Sequence, residues 1–285
     1  VSVLKKIKWY PLLALFLVAS GFAFNHFFVI QWSSKPYLLS EVTAENIYVI
    51  NLDRTLERHF PLKKQLDELK LPFTRWSAVD GYKLSITGPQ GESFSGRDLK
   101  TGKAQFKLGE TYLIQASYDT ISYTPQAYTL SAGELGCVIS HVEIWDHMVK
   151  DNIPWALIFE DDANLMPTFR AGLESALANL PEKWDLLYVH DPIADRGKKK
   201  FWVLGDLTLC KLGRDLDFYV LGAHGYMISL AGAQKLVAYS KKNLHLSTDM
   251  MLSQAINDGA IDAYIKRVPI VNITQGPSLL DEMGR

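Results

Sequence analysis

Glu160-Asp161-Asp162 is the stretch of this sequence with the clearest chemical potential. Three adjacent carboxylates repel one another unless a cation or hydrogen-bond donors offset their charge. They follow directly on Pro154-Trp155-Ala156-Leu157-Ile158-Phe159, an apolar run that reads as a buried strand. In open α/β sheets, ligands bind beyond the carboxyl ends of the strands. A hard divalent cation with phosphate oxygens is the natural partner of such a cluster. It would stabilise the charge of a departing diphosphate. The competing reading is a solvated acidic loop, and spacing alone leaves both open.

Two further groups have a similar setting. Asn51-Leu52-Asp53-Arg54, with Arg58, follows the β-branched run Ile47-Tyr48-Val49-Ile50. Arginine grips phosphates with paired donors, and Asp53 is placed to orient it. The alternative is a salt bridge at a helix start. Asp249, in His245-Leu246-Ser247-Thr248-Asp249, falls at an expected helix start, where free N–H groups favour a carboxylate. Its functional alternative is a general base that takes a proton from an acceptor hydroxyl. Ser140-His141 is not a hydrolase signal: adjacent helical residues do not face each other, and no G-x-S-x-G elbow is present. Cys137 and His141 share a helix face, but two ligands do not make a zinc site. That face is expected to pack, with His141 near the site. The sequence contains neither a P-loop nor G-x-G-x-x-G.

The elements that must position these residues are legible from hydrophobic period and caps. Strands are expected at residues 46–52, 73–79, 154–159, 184–189, 225–229 and 263–268. Helices are expected at 56–70, 133–150, 168–179, 231–241 and 248–257. Pro61 fits the first of these helices only if that helix starts late. Ser131 and Glu134 stand at capping-box spacing before the second. Residues 198–219 read as a hairpin. Residues 82–130 show no sustained period and read as an insertion or surface excursion with short strands, either a functional lid or a decoration. Alternating strands and helices predict an open α/β sheet.

The 285 residues carry a net charge of -1, so nothing electrostatic points to a nucleic-acid partner. The two cysteines, Cys137 and Cys210, form no C-x-x-C pair and are expected to be lone thiols. No charged residue lies between Lys8 and Lys35, and Trp9 to Trp32 is long enough to span a bilayer. The expectation is a transmembrane anchor over residues 1–33, a stem over 34–45 and a catalytic domain over 46–285. A cleaved signal peptide ending near Ser20-Gly21-Phe22-Ala23 is the alternative. Lys5, Lys6 and Lys8 would keep the N-terminus in the cytoplasm.

Several of these runs together resemble glycosyltransferase family 25. They are Ile50-Asn51-Leu52-Asp53-Arg54 with Arg58, and Ala78-Val79-Asp80-Gly81. Gly133 to His141 and Ala156 to Asp162 match the central signature, and Gly225 to Ser229, Gly232-Ala233 and Asp249 the later blocks. The likeness covers about residues 46–271, and the family includes bacterial lipooligosaccharide galactosyltransferases and relatives that glycosylate collagen. It implies a GT-A fold, a Rossmann-like sheet flanked by helices. It implies a UDP-hexose donor, most often UDP-galactose, and transfer with inversion. Glu160 and Asp162 would be the metal ligands, with Mn2+ or Mg2+ as the ion. Asn51, Arg54, Arg58, Asp80, Gly81, His141 and Tyr226 would contact substrate. Asp249 is the first candidate for the base, with Asp161 and Asp191 behind it. Tyr226, Tyr118 and Tyr123 would stack on sugars or simply pack. The acceptor would be a glycan or lipid-linked glycan at a bacterial inner membrane, with a Golgi or ER lumen as the other location. A membrane-tethered glycan-binding or scaffold protein without turnover, and a phosphate-ester hydrolase, are the rival readings.

Overall fold

The structure, a computed structural model, describes residues 42–116, 119–126, 129–192, 201–203, 209–212, 220–266 and 268–273. Strand β1 (Ile47–Asn51) is buried along its whole length. A 3-10 segment, Asp53–His59, follows it, and then helix α1 (Phe60–Glu68) with Pro61 in its first turn. The helix therefore starts late, as Pro61 requires, because proline lacks the N–H that an interior position needs. Strand β2 (Thr74–Ser77) lies parallel to β1.

Residues 82–130 build a small sheet of their own. Strands β3 (Ser85–Thr87), β4 (Ser93–Ser95), β5 (Tyr112–Gln115) and β6 (Thr120–Tyr123) pair antiparallel in the order β4-β3-β5-β6. A short helix, α2 (Gly96–Lys100), starts from a Ser95/Asp98 capping box. Phe106 lies 4.8 Å, centroid to centroid, from both Tyr112 and Tyr123, forming an aromatic core beneath the sheet. Strands this short carry too few residues for a period to register, which is why the sequence reads as irregular. Tyr123 is fully buried and its hydroxyl accepts from the Leu130 N–H, so it packs. Tyr118 lies outside the described residues.

Helix α3 (Ala132–Lys150) begins at Ser131, which accepts from the Glu134 N–H in the expected box. It leads to β7 (Trp155–Glu160), β8 (Ala163–Leu165), α4 (Phe169–Asn179) and β9 (Leu186–Tyr188). Then come β10 (Phe201–Val203) paired antiparallel with β11 (Leu209–Leu212), and β12 (Gly225–Ser229). Helices α5 (Leu230–Asn243) and α6 (Thr248–Asn257) precede β13 (Ala263–Lys266) and β14 (Val271–Ile273), and β14 pairs with β8. The main sheet runs β10-β11-β13-β9-β12-β7-β1-β2. Its residues alternate between two cores. Tyr48, Ile158 and Tyr226 pack with α3, α5 and α6 on one face, and Val49, Phe159 and Met227 with α1 and α4 on the other. The result is a three-layer α/β domain with a mixed sheet.

The expected membrane anchor is corrected. No helix among the described residues is long and apolar enough to cross a membrane. The longest of them, α3, has 19 residues but carries Glu134, Glu143, Asp146 and Lys150, and a spanning helix needs about 20 mostly apolar residues. Residues 1–41, with the anchor and most of the stem, lie outside the described residues. The membrane as a partner and the single-pass inner-membrane location lose their support with it.

Candidate active site

The site forms where three strands meet. β1 runs parallel to β7, with Ile50 beside Glu160, so Asn51 emerges next to Asp161. β12 runs antiparallel to β7, with Gly225 opposite Phe159. The start of β12 therefore faces the end of β7, and the Glu160 N–H donates to the His224 carbonyl at 3.2 Å. This register brings the His224 side chain to the acidic run. Nothing in a single sequence reveals it, and His224 is the site residue that sequence reasoning misses.

The three carboxylates have different surroundings. Asp161 is already engaged: Asn51 Nδ2 donates to Oδ2 at 2.8 Å and Arg58 Nε to Oδ1 at 3.2 Å. Burial still raises its pKa despite both donors. Glu160 Oε1 lies 3.4 Å from His141 Nε2, and Oε2 lies 3.4 Å from His224 Nδ1. Burial alone would raise the Glu160 pKa, but the two histidines outweigh it and hold the carboxyl well below its usual range. Asp162 Oδ1 lies 3.5 Å from His224 Nδ1. Burial opposes charge on His224, yet Asp162 and Glu160 prevail and push its pKa up to about 10. Proximity supplies that attraction without hydrogen-bond geometry, since Asp162 Oδ1 and His224 Nδ1 are buried with no hydrogen-bond partner.

Among the described residues, two ligand sets are close enough to hold an ion: Cys137, His141 and Glu160, or Glu160, Asp162 and His224. Hydrogen-bond logic separates them. Trp145 Nε1, which can only donate, points at the Tyr226 hydroxyl at 2.9 Å. That hydroxyl lies 2.8 Å from His141 Nδ1. It spends its own proton usefully only by donating to Nδ1, which places the imidazole hydrogen on Nε2, facing Glu160. A protonated Nε2 is not a ligand. Burial also pushes the Cys137 thiol pKa up, so the thiol keeps its proton. The Glu160, Asp162 and His224 set fits an ion better: its two carboxylates are the charge that keeps the His224 proton on, and a divalent cation would take the place of that proton between them.

Tyr226 is thus fully buried between Trp145 and His141, with no ring face for a sugar. It reaches the site only through His141. Tyr226→Phe would strand Trp145 Nε1 and His141 Nδ1 without partners, an expected loss of about 1–3 kcal/mol on urea unfolding. It would also free the His141 ring, with an expected fall of about tenfold or more in metal affinity by titration.

The arginines are held by the protein's own carboxylates. Arg54 Nε lies 3.4 Å from Asp80 Oδ2, and its guanidinium sits over the Tyr82 ring. Arg58 bridges Asp161 and, at 4.0 Å, Asp162. Asp53 binds Arg75 and Ser77. Gly81 has a packing role: a Cβ there would sit 1.7 Å from the Ala132 carbonyl oxygen. Gly136 is pressed in the same way against the Val79 carbonyl. This seam of bare backbone seats the start of α3 on the Asp80-Gly81 turn. Asp249, at the start of α6, accepts from the Ser247 hydroxyl, the Met250 N–H and the Gly222 N–H. These are the bonds of a carboxylate that fixes a helix start and a neighbouring loop.

A cleft of about 170 Å³ opens on this cluster, lined by Asn51, Arg58, Gly81, Cys137, the three carboxylates and His224 among others. Ala78 and Val79 separate it from a hollow of about 270 Å³ bearing Asp53, Arg54, Asp80 and Lys83. Of the residues expected at the site, Asn51, Arg58, Gly81, Glu160, Asp161 and Asp162 line one cleft. Arg54 and Asp80 line its neighbour, while His141 and Tyr226 support it from behind.

Residues 44–252 match the family model described as glycosyltransferase family 25 (LPS biosynthesis protein). A glycosyltransferase 25 family member of Anopheles gambiae is 31% identical over 199 residues, which is 69% of this chain and 29% of that protein. An inactive glycosyltransferase 25 family member 3 of Mus musculus is 28% identical over 236 residues, 81% of this chain and 35% of its own. Procollagen galactosyltransferase 2 of Homo sapiens is 25% identical over 240 residues, covering 81% and 33%. The chain thus spans about a third of the length of such relatives. With the matched segment running from before β1 to within α6, and so through the acidic cluster and His224, the chain belongs to glycosyltransferase family 25.

Proposed function

We propose that this chain transfers a hexose from a nucleotide sugar to a hydroxyl group, with the Glu160, Asp162 and His224 set as the ion site. One observation carries the reading: two carboxylates and an imidazole, with ligand atoms within 4.8 Å of one another, converge on a cleft at the end of a central strand. The mixed oxygen and nitrogen donors suit Mn2+ better than Mg2+, which favours oxygen alone. When bound, the ion would offset charge on the leaving diphosphate.

The chain's own residues supply the rest. Asp161, itself held by Asn51, fixes Arg58 at the rim of the cleft, where its positive charge favours phosphate oxygens. Arg54 and Lys83 line the adjoining hollow, which suits the nucleotide. UDP-galactose is the donor we favour, after the galactosyltransferase named among the relatives. The acceptor hydroxyl attacks from the face opposite the leaving group, with inversion. Asp161 and Asp249 each keep a structural task and act as positioning residues in this reading. A glycan acceptor fits the same chemistry.

The test is UDP release by the purified chain with UDP-galactose, UDP-glucose or UDP-N-acetylglucosamine. Turnover with one donor, its loss in EDTA and its return with Mn2+ is the expected result. Unchanged rates in EDTA would remove the ion from the proposal. The alternative, a glycan-binding protein without turnover, draws on the relative named as inactive. It expects nucleotide-sugar binding with no UDP release.

A further inference from the structure

A cavity of about 490 Å³ opens between the small sheet's segment and the start of α3. Helix α2 contributes Lys100 to it, the loop that follows contributes Gln105 and Phe106, and the α3 start Ala132 and Glu134. None of these residues lines the cleft or the hollow beside it.

The floor of the cavity is apolar, since Phe106, Leu130 and Ala132 are buried there. Its other groups are polar and carry both signs of charge. Lys100 Nζ donates to the Tyr82 hydroxyl at 2.7 Å, which fixes the ammonium. Glu134 accepts the Ser131 N–H on Oε2 at 2.9 Å, and Oε1 is left for a ligand. The same bond belongs to the α3 capping box, so recognition here falls to side chains rather than to a bare helix end. Gln105 is exposed and adds an amide that both donates and accepts.

These groups exclude the simplest ligands. Glu134 opposes a small anion and Lys100 a small cation. They match a neutral molecule with hydroxyls at its edge and C–H groups on its faces, which is the chemistry of a sugar. The volume falls within the range of about 300–1,000 Å³ typical of small-ligand sites.

The walls are set before anything binds. A Cβ at Gly96 would stand 1.7 Å from the Gly81 carbonyl oxygen, just as one at Gly81 would from that of Ala132. The starts of α2 and α3 therefore rest on the same turn. Ala104 N–H donates to the Asp98 carbonyl at 3.1 Å and ties the loop to α2. A rigid site loses little entropy on binding. Gly133, between Ala132 and Glu134, lines the cleft itself, so a single helical turn separates the two spaces.

We infer that this cavity is a remote acceptor subsite, holding a neutral disaccharide unit of a glycan whose reacting hydroxyl lies in the cleft. The inference rests on the glycosyl-transfer reading. Binding gathered here positions the acceptor and takes no part in bond-making.

The test titrates the full chain with lactose, maltose and cellobiose, followed by saturation-transfer NMR. UDP–Mn2+ affinity is measured by calorimetry on the same samples. Saturable binding of at least one disaccharide is expected. Gln105→Trp, at an exposed position, narrows the cavity and should weaken that binding by about tenfold. Glu134→Gln keeps the capping box, which glutamine also serves, and should cost about tenfold through loss of a charged acceptor. UDP–Mn2+ affinity in both variants reports an intact cleft. If UDP–Mn2+ binds but no disaccharide does, or if both variants bind disaccharide as tightly as the native chain, the subsite is refuted. If UDP–Mn2+ does not bind, the donor reading falls, and disaccharide binding with its loss in the variants then decides whether the cavity holds sugar.

Discussion

Asp162→Ala is expected to lower UDP release by about two orders of magnitude or more, with Mn2+ affinity falling in parallel. The substitution removes Oδ1, the carboxylate oxygen 3.5 Å from His224 Nδ1. It leaves His224 with Glu160 alone as a neighbouring carboxylate ligand. Coulomb attraction at such distances is worth several kcal/mol when partly shielded from water, enough to account for the loss. Asp162 is a rim residue outside both hydrophobic cores, so circular dichroism and melting should stay close to native. Asp161→Asn is the contrasting variant. Asp161 spends its oxygens on Asn51 and Arg58, so metal affinity should change little and the donor KM should rise. Near-native turnover in Asp162→Ala would contradict the ion site. Equal loss of Mn2+ affinity in both variants would erase the distinction drawn between adjacent carboxylates.

Gly81→Ala should have the largest effect on stability. The added methyl carbon would stand 1.7 Å from the Ala132 carbonyl oxygen and 3.1 Å from the Gly133 nitrogen. Both belong to backbone at the start of a helix fixed by a capping box, so neither can swing aside. Relief requires the helix start to lift from the turn. Overpacking a tight core commonly costs 1–3 kcal/mol, and a clash with backbone belongs at or beyond the upper end, about 3 kcal/mol or more. For a domain of this size that corresponds to a fall in Tm of roughly 6–12 °C. Gly91→Ala is the control. Its surroundings are open, and only its φ of +85° resists a side chain, so about 1 kcal/mol is expected. Comparable melting curves for the two variants would show that the seam yields more easily than its geometry implies.

Elements with a long period or a clear cap were legible in the sequence. The Ser131/Glu134 box, the run 154–159 and the late start at Pro61 all correspond to features of the fold. The small sheet was not legible, because three- and four-residue strands leave no pattern. At the site, the acidic run and the Asn51 to Arg58 segment were readable because each ends a buried strand. Which carboxylate was free to bind was not, since that depends on Arg58 and Asn51 reaching across about a hundred residues to Asp161. His224 was invisible because antiparallel register is a tertiary property. Tyr226 misled for the same reason: an aromatic at a strand start looks like a sugar platform until Trp145 and His141 are found against its hydroxyl.

The antiparallel pairing of β12 with β7 divides labour within the molecule. Both ends of the ion grip hang on ladder-bonded strands, whereas the connector from Tyr188 to Gly225 contributes Asp191 and Leu221 to a cavity beside His224. His224 is the last residue of that connector before β12, and its carbonyl takes the Glu160 N–H. Changes to the connector that spare residues 220–225 should therefore leave the ion grip in place, whereas a change within them would loosen it.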